Sequence, residues 1–149
     1  MELRFHHIGL IVNDIETSVD FYENTLNMKR TTDIIYDPVQ RVKYIMLVDN
    51  KIDGLAYELI QPVYPDSPSA QWLKRGNTIQ HFCYEVDDLQ QVIKHFVDNG
   101  GYLFVEPVPA VIFDNQLIAF LLTKEKLIIE LLEQRRTENE NSVPKQLHY

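Results

Sequence analysis

The chain has 149 residues, 45% of them hydrophobic, and a formal net charge of −8. A chain of that length buries about 70% of its unfolded surface in one unit, and the acidic balance excludes a nucleic-acid backbone as partner, which needs clustered Lys and Arg. The single cysteine, Cys83, excludes an internal disulfide, no apolar run is long enough to enter a membrane, and the chain reads as cytoplasmic.

In chain order, Phe5 to Val12 alternates between two faces. Phe5, His7, Gly9 and Ile11 share one; His6, Ile8, Leu10 and Val12 share the other, which is apolar apart from His6 and suits packing against a helix. Asn13 and Asp14 supply a cap, and Ile15, Val19, Tyr22 and Leu26 follow at helical spacing. Three strands are expected around residues 31–36, 41–48 and 55–61, with turns at Pro38, Asp49-Asn50 and Asp53-Gly54. Residues 63–78 break the pattern. There Ser67-Pro68 starts a short helix, Gly76 stops it, and Trp72 and Leu73 anchor it to the body. The order then repeats: a strand over residues 79–86, a cap at Asp88 with Gln91, and a helical stripe of Leu89, Val92, Ile93 and Phe96 ended by Gly100-Gly101. Strands around residues 102–106, 117–122 and 127–133 close the pattern, and the polar, aperiodic residues 135–149 read as a loose tail.

The repetition extends to individual residues. Phe5–Tyr22 and Ile79–Phe96 align without a gap at an offset of 74 residues, setting His81 on His7, Val86 on Val12, Asp88 on Asp14 and Phe96 on Tyr22. At nearly the same offset Glu130 falls on Glu58. A self-match at near-constant offset marks a duplication. The expectation is an α+β fold in which two βαβββ repeats form an eight-stranded open barrel-like sheet. The single domain spans 1–134, with modules 1–62 and 79–134 joined by a bridge at 63–78.

Four polar residues interrupt apolar strands at matched places: His7 and His81 on the first strands, Glu58 and Glu130 on the last. A carboxylate in mid-strand between apolar neighbours is costly to bury unless it is paired or bound to a metal. Taken singly, each reads more naturally as a solvated or hydrogen-bonded side chain. Their recurrence in both copies points instead to one shared site for a divalent cation, with Co, Ni, Mn, Fe and Zn all compatible with two imidazoles and two carboxylates. Such an ion would polarise a substrate carbonyl while a nearby carboxylate takes the α-proton. His6, matched by Gln80, reads as incidental, as do His95 on a helix and His148 in the tail. Glu85 lies on the ligand face by parity, opposite Ile11 in the other copy.

These features resemble the vicinal oxygen chelate (glyoxalase/bleomycin resistance/dioxygenase) superfamily, and within it the methylmalonyl-CoA epimerase family, over Phe5 to Gln134. The motifs are HHIGLIV at His6–Val12, YELIQP at Tyr57–Pro62, PDSPSAQWLKRGN at Pro65–Asn77, HFCYEVDDL at His81–Leu89 and LIIELLE at Leu127–Glu133. The resemblance implies His7, Glu58, His81 and Glu130 as metal ligands, with Glu130 also the catalytic general base of an epimerase or isomerase. It further implies a small-molecule substrate, an acyl-CoA or glutathione thioester, and a homodimer. The family's glycine-rich basic turn and HPK segment are replaced by VIFDNQLIAF at Val111–Phe120 and LLTKEK at Leu121–Lys126. The alternatives are a glyoxalase I-like lactoylglutathione lyase and a non-enzymatic small-molecule binder of the same fold.

Overall fold

Two strands from opposite halves of the chain meet at the middle of the sheet. They are β1 (Leu3–Ile11) and β6 (Ile79–Val86), paired antiparallel. The computed structural model describes residues 1–135. Between and beyond these two strands lie α1 (Ile15–Leu26), β2 (Met28–Arg30), β3 (Ile35–Asp37), β4 (Val42–Asp49), β5 (Ala56–Pro62) and α2 (Pro68–Lys74). After β6 come α3 (Leu89–Asp98), β7 (Tyr102–Ala110), β8 (Gln116–Leu122) and β9 (Ile128–Glu133). The strands form one open sheet in the order β2-β4-β5-β1-β6-β9-β8-β7, with β3 also on β4. The fold is the expected α+β class.

The sheet has nine strands where eight were expected. Residues 31–36 do not form one strand: β2 pairs with Leu47–Asp49 and β3 with Val42–Tyr44. Between them the Thr32 hydroxyl accepts from the Met46 amide at 3.1 Å, replacing a ladder bond and letting the chain step away.

The helices form where the sequence caps them. Asp14 accepts from Thr17 N at 2.8 Å and Asp88 from Gln91 N at 2.9 Å, each cap contributing about 1 kcal/mol. Ile15 and Val19 of α1 pack on Leu10, Val12, Ile45, Leu47 and Leu59, and Leu89, Val92 and Ile93 of α3 pack on Ala119, Leu121, Ile129 and Leu131. Each large aliphatic so buried contributes about 1.5–3 kcal/mol. The α1 stripe is shorter than its spacing suggests, because Leu26 is exposed at the helix end. In the bridge, Ser67 caps α2 through Ala70 N at 3.2 Å and Trp72 Nε1 donates to Ile79 O at 3.1 Å, tying α2 to the start of β6. Among the described residues no helix is long and apolar enough to cross a membrane. Arg135 pairs with Asp114. The rest of the expected tail, with His148, lies outside the described residues.

Candidate metal centre

Strand register brings the four matched residues together. Across β1 and β6, His7 faces Cys83 and Gly9 faces His81. The parallel neighbours extend both rows: Gly9 faces Glu58 on β5, and Cys83 faces Glu130 on β9. Two rows therefore cross the sheet, Glu58–Gly9–His81 and His7–Cys83–Glu130, and exchanging the repeats exchanges the rows. Partners across a pair share a face, so all four side chains project from the face opposite the helices.

There they converge. His7 Nε2 lies 3.1 Å from His81 Nε2. It is 3.7 Å from Glu58 Oε2 and 3.9 Å from Glu130 Oε1. His81 Nε2 is 3.8 Å from Glu58 Oε1 and 3.5 Å from Glu130 Oε2. None of the four residues is more than 2% exposed.

The residues fit a divalent cation. Ligand atoms held at 2.0–2.2 Å around one ion lie about 3.0–3.4 Å from one another; the two imidazole nitrogens meet that spacing, the carboxylate oxygens stand 3.5–3.9 Å from them, and His7, Glu58 and His81 have ligand atoms within 4.8 Å of one another. Glu130 Oε1 is buried without a hydrogen-bond partner among the described residues. Such an orphan costs about 1–3 kcal/mol, more if charged, and a cation would satisfy it. The donor set of two imidazoles and two carboxylates suits borderline ions from Mn to Zn.

Burial also sets the protonation of the metal-free centre. It pushes the Glu58 carboxyl well above the usual range, with the Glu130 charge adding to the effect. Burial lifts Glu130 to about 7, with the Cys83 thiol opposing. It holds His7 well below its usual value, helped by His81 and His6, and takes His81 down to about 3. Both imidazoles are therefore neutral and able to ligate, while the carboxyls keep protons that a cation must displace.

A pH signature follows for the chelated protein. Glu130 titrates at about 4.5 when unfolded and about 7 when folded, so stability falls as pH rises through that window. His81 titrates at about 6.5 when unfolded and about 3 when folded, so stability falls as pH drops below 6.5. The opposing slopes cancel from about 4.5 to 6.5, and beyond either edge each group costs up to about 1.4 kcal/mol per pH unit. Melting temperatures in chelator should pass through a broad maximum in mildly acidic solution, with Glu58 and His7 adding to the two slopes, and fall towards alkaline pH. A midpoint that rises steadily from acid to alkaline pH would refute the assignment.

Two residues near the centre escaped the sequence reading. Alternation places His6 on the helix-facing side, but β1 is irregular between Phe5 and His7, and His6 Nδ1 lies 2.8 Å from His7 Nδ1. The bulge, invisible to a period-two pattern, corrects that placement. The other is Gly9, where a Cβ would stand 2.1 Å from His81 Cε1. Its absence leaves the space that the imidazole fills. Glu85 takes no part in the centre and pairs with Arg4 at 2.7 Å.

A cavity of about 430 Å3 opens onto Glu58, His81 and Glu130. Tyr44 lines it from β4, with its hydroxyl donating to Gln40 Oε1, and Phe104 and Phe120 line its apolar wall.

Residues 6–120 match the family model described as the Glyoxalase/Bleomycin resistance protein/Dioxygenase superfamily. An ethylmalonyl-CoA/methylmalonyl-CoA epimerase of Cereibacter sphaeroides is 27% identical over 125 residues, which cover 82% of this chain and 90% of the relative. A probable trivalent organoarsenical cleaving enzyme of Bacillus subtilis is 26% identical over 93 residues, covering 62% of this chain and 52% of that one. Among solved structures, the hypothetical protein BH1468 from Bacillus halodurans matches with a TM-score of 0.79 at 28% identity, over 92% of this chain and 98% of its own. A Streptomyces coelicolor methylmalonyl-CoA epimerase variant in complex with 2-nitronate-propionyl-CoA matches with a TM-score of 0.76 at 25% identity, over 88% and 94%.

Proposed function

Because the chain belongs to the Glyoxalase/Bleomycin resistance protein/Dioxygenase superfamily, we propose that it is a divalent-metal-dependent isomerase that moves the proton α to the carbonyl of an acyl thioester, in the manner of a methylmalonyl-CoA epimerase. The observation that carries this reading is the unpartnered Glu130 Oε1, buried in a ring of two imidazoles and two carboxyls beside an open cavity. His7, Glu58, His81 and Glu130 would hold the cation, which when bound supplies Lewis acidity towards a substrate carbonyl. Glu130 reaches the cavity from β9, and its carboxylate accepts the α-proton. Phe104 and Phe120 give the cavity an apolar wall beside the carboxylate. On this reading residues 1–134 work as one unit, with modules 1–62 and 79–134 and a bridge at 63–78 that lends Ser67 and Trp72 to the cavity rim. The functional form is a cytoplasmic homodimer.

One observation favours a second reading, a lactoylglutathione lyase-like enzyme. Arg41 is the only Arg or Lys lining the cavity among the described residues, and Asp66 holds it at 3.2 Å. That offers little to the phosphates of CoA and suits a smaller thioester.

The test measures solvent deuterium incorporation into methylmalonyl-CoA, alongside turnover of a glutathione hemithioacetal, with chelated and metal-reloaded protein. Metal-dependent exchange is expected, and His81→Ala and Glu58→Ala should each abolish stoichiometric metal. Unchanged metal content in both variants would remove the metal reading. Hemithioacetal turnover without exchange would assign the lyase instead.

A further inference from the structure

His6 and Gln80 hold equivalent places in the two repeats, each immediately before one of the converging histidines, yet they differ in chemistry. In the fold both turn to the outer ring nitrogen of their neighbour. His6 Nδ1 lies 2.8 Å from His7 Nδ1, and Gln80 Oε1 lies 3.1 Å from His81 Nδ1. The Gln80 amide nitrogen donates to Ser69 Oγ on α2 at 3.1 Å, with the carbonyl end towards the ring. His6 is held edge-on by Phe113, with ring centroids 5.5 Å apart.

We infer that His6 and Gln80 are positioning residues that set the tautomers of His7 and His81, and that His6 does so by changing its own tautomer when a cation enters the centre. The first half rests on the hydrogen bonds alone; the second rests on the metal reading above.

A glutamine carbonyl can only accept. His81 therefore carries its proton on Nδ1 and turns a bare Nε2 to the centre, with or without a cation. In the metal-free centre, His7 Nε2 faces that bare nitrogen at 3.1 Å and donates to it. His7 Nδ1 then accepts, and His6 Nδ1 donates. The donor chain runs from His6 through His7 and His81 to Gln80. A cation needs the lone pairs of both Nε2 atoms, so His7 must move its proton to Nδ1 and donate to His6. His6 Nδ1 then accepts, with its own proton on Nε2. No proton is gained or lost: each of the two rings moves one proton from one nitrogen to the other. His6 borders a separate open cavity of about 550 Å3, through which its ring can exchange protons with water.

This explains why the two repeats differ at the residue before the ligand. His81 keeps one tautomer, and a fixed carbonyl serves it. His7 must alternate, and an imidazole nitrogen can donate or accept from the same place. A glutamine there would have to rotate its amide.

Histidine tautomers are read directly from long-range proton–nitrogen correlation spectra of the full-length protein labelled with ¹⁵N-histidine at pH 8. In chelator, His6 and His81 should carry the proton on Nδ1 and His7 on Nε2. One equivalent of Zn²⁺ should move the proton to Nε2 in His6 and to Nδ1 in His7, leaving His81 unchanged. In parallel, His6→Leu and Gln80→Leu should weaken zinc binding about 10–100-fold, measured by competition with a chromophoric chelator. His6→Gln should recover most of the loss. Zinc-independent tautomers in His6 and His7, a proton on His81 Nε2 in chelator, or wild-type zinc affinity in both leucine variants would overturn the inference. Wild-type protein that binds no zinc would defeat the metal reading and the tautomer change with it. The chelator spectrum still decides the positioning half, even where a variant fails to fold.

Discussion

Glu130→Gln should lower proton-exchange turnover about 10²–10⁴-fold, the usual worth of general acid–base catalysis, while leaving much of the metal in place. The substitution keeps the side chain's shape and one oxygen able to ligate, and it removes the basic charge. Glu130 is singled out because one of its oxygens is buried without a partner and its side chain reaches the cavity. A ligand with no further task would cost affinity when changed, and the effect would vanish at saturating metal. A base would cost the rate at saturation. The measurement is therefore exchange at full metal occupancy. Near-normal exchange there would assign the proton to another group.

Gly9→Ala should empty the centre without altering any ligand. The added Cβ would meet three atoms of the His81 ring, at 2.1, 2.4 and 2.6 Å. Neighbouring rings limit where the imidazole can go, His7 crossing it at a centroid distance of 5.2 Å and Phe120 at 5.7 Å. Overpacking of this kind costs about 1–3 kcal/mol of stability. The displacement of His81 Nε2 should cost far more in function, with metal affinity reduced at least as much as by losing an outer-sphere partner, about 10–100-fold. Metal content after dialysis against a competing chelator, read beside the melting temperature, separates the two effects. Wild-type metal content would mean that β1 shifts and the ring keeps its place.

The centre was legible in the sequence because two regularities overlap there. Duplication marked which polar residues recur, and strand periodicity placed His7, Glu58, His81 and Glu130 on one face. Neither carries information about local departures from regularity. The bulge that swings His6 beside His7 leaves no trace in the alternation of Phe5 to Val12. The step between β2 and β3 depends on one threonine hydroxyl taking a ladder bond, which a run of strand-forming residues does not reveal. Gly9 looked like any residue of its face, because the reason for a missing side chain lies in the ring that occupies the space. Leu26 keeps helical spacing, but the helix ends before the sheet can cover it.

The two rows crossing the sheet have a consequence for how the chain acquires its site. Each row draws its histidine from one half of the chain and its carboxylate from the other, and the halves pair strand to strand along β1 and β6. Contacts so distant in sequence carry a large loop-closure entropy and tend to form late in folding. Either half alone offers one imidazole and one carboxylate, a weak grip on any ion. A cation held by all four would bind only once the seam is shut, and at a hundred times its dissociation constant it would add about 2.7 kcal/mol to the assembled state. Metal occupancy would then act as a proofreading step, a latch that closes on the finished chain and passes over the half-made one.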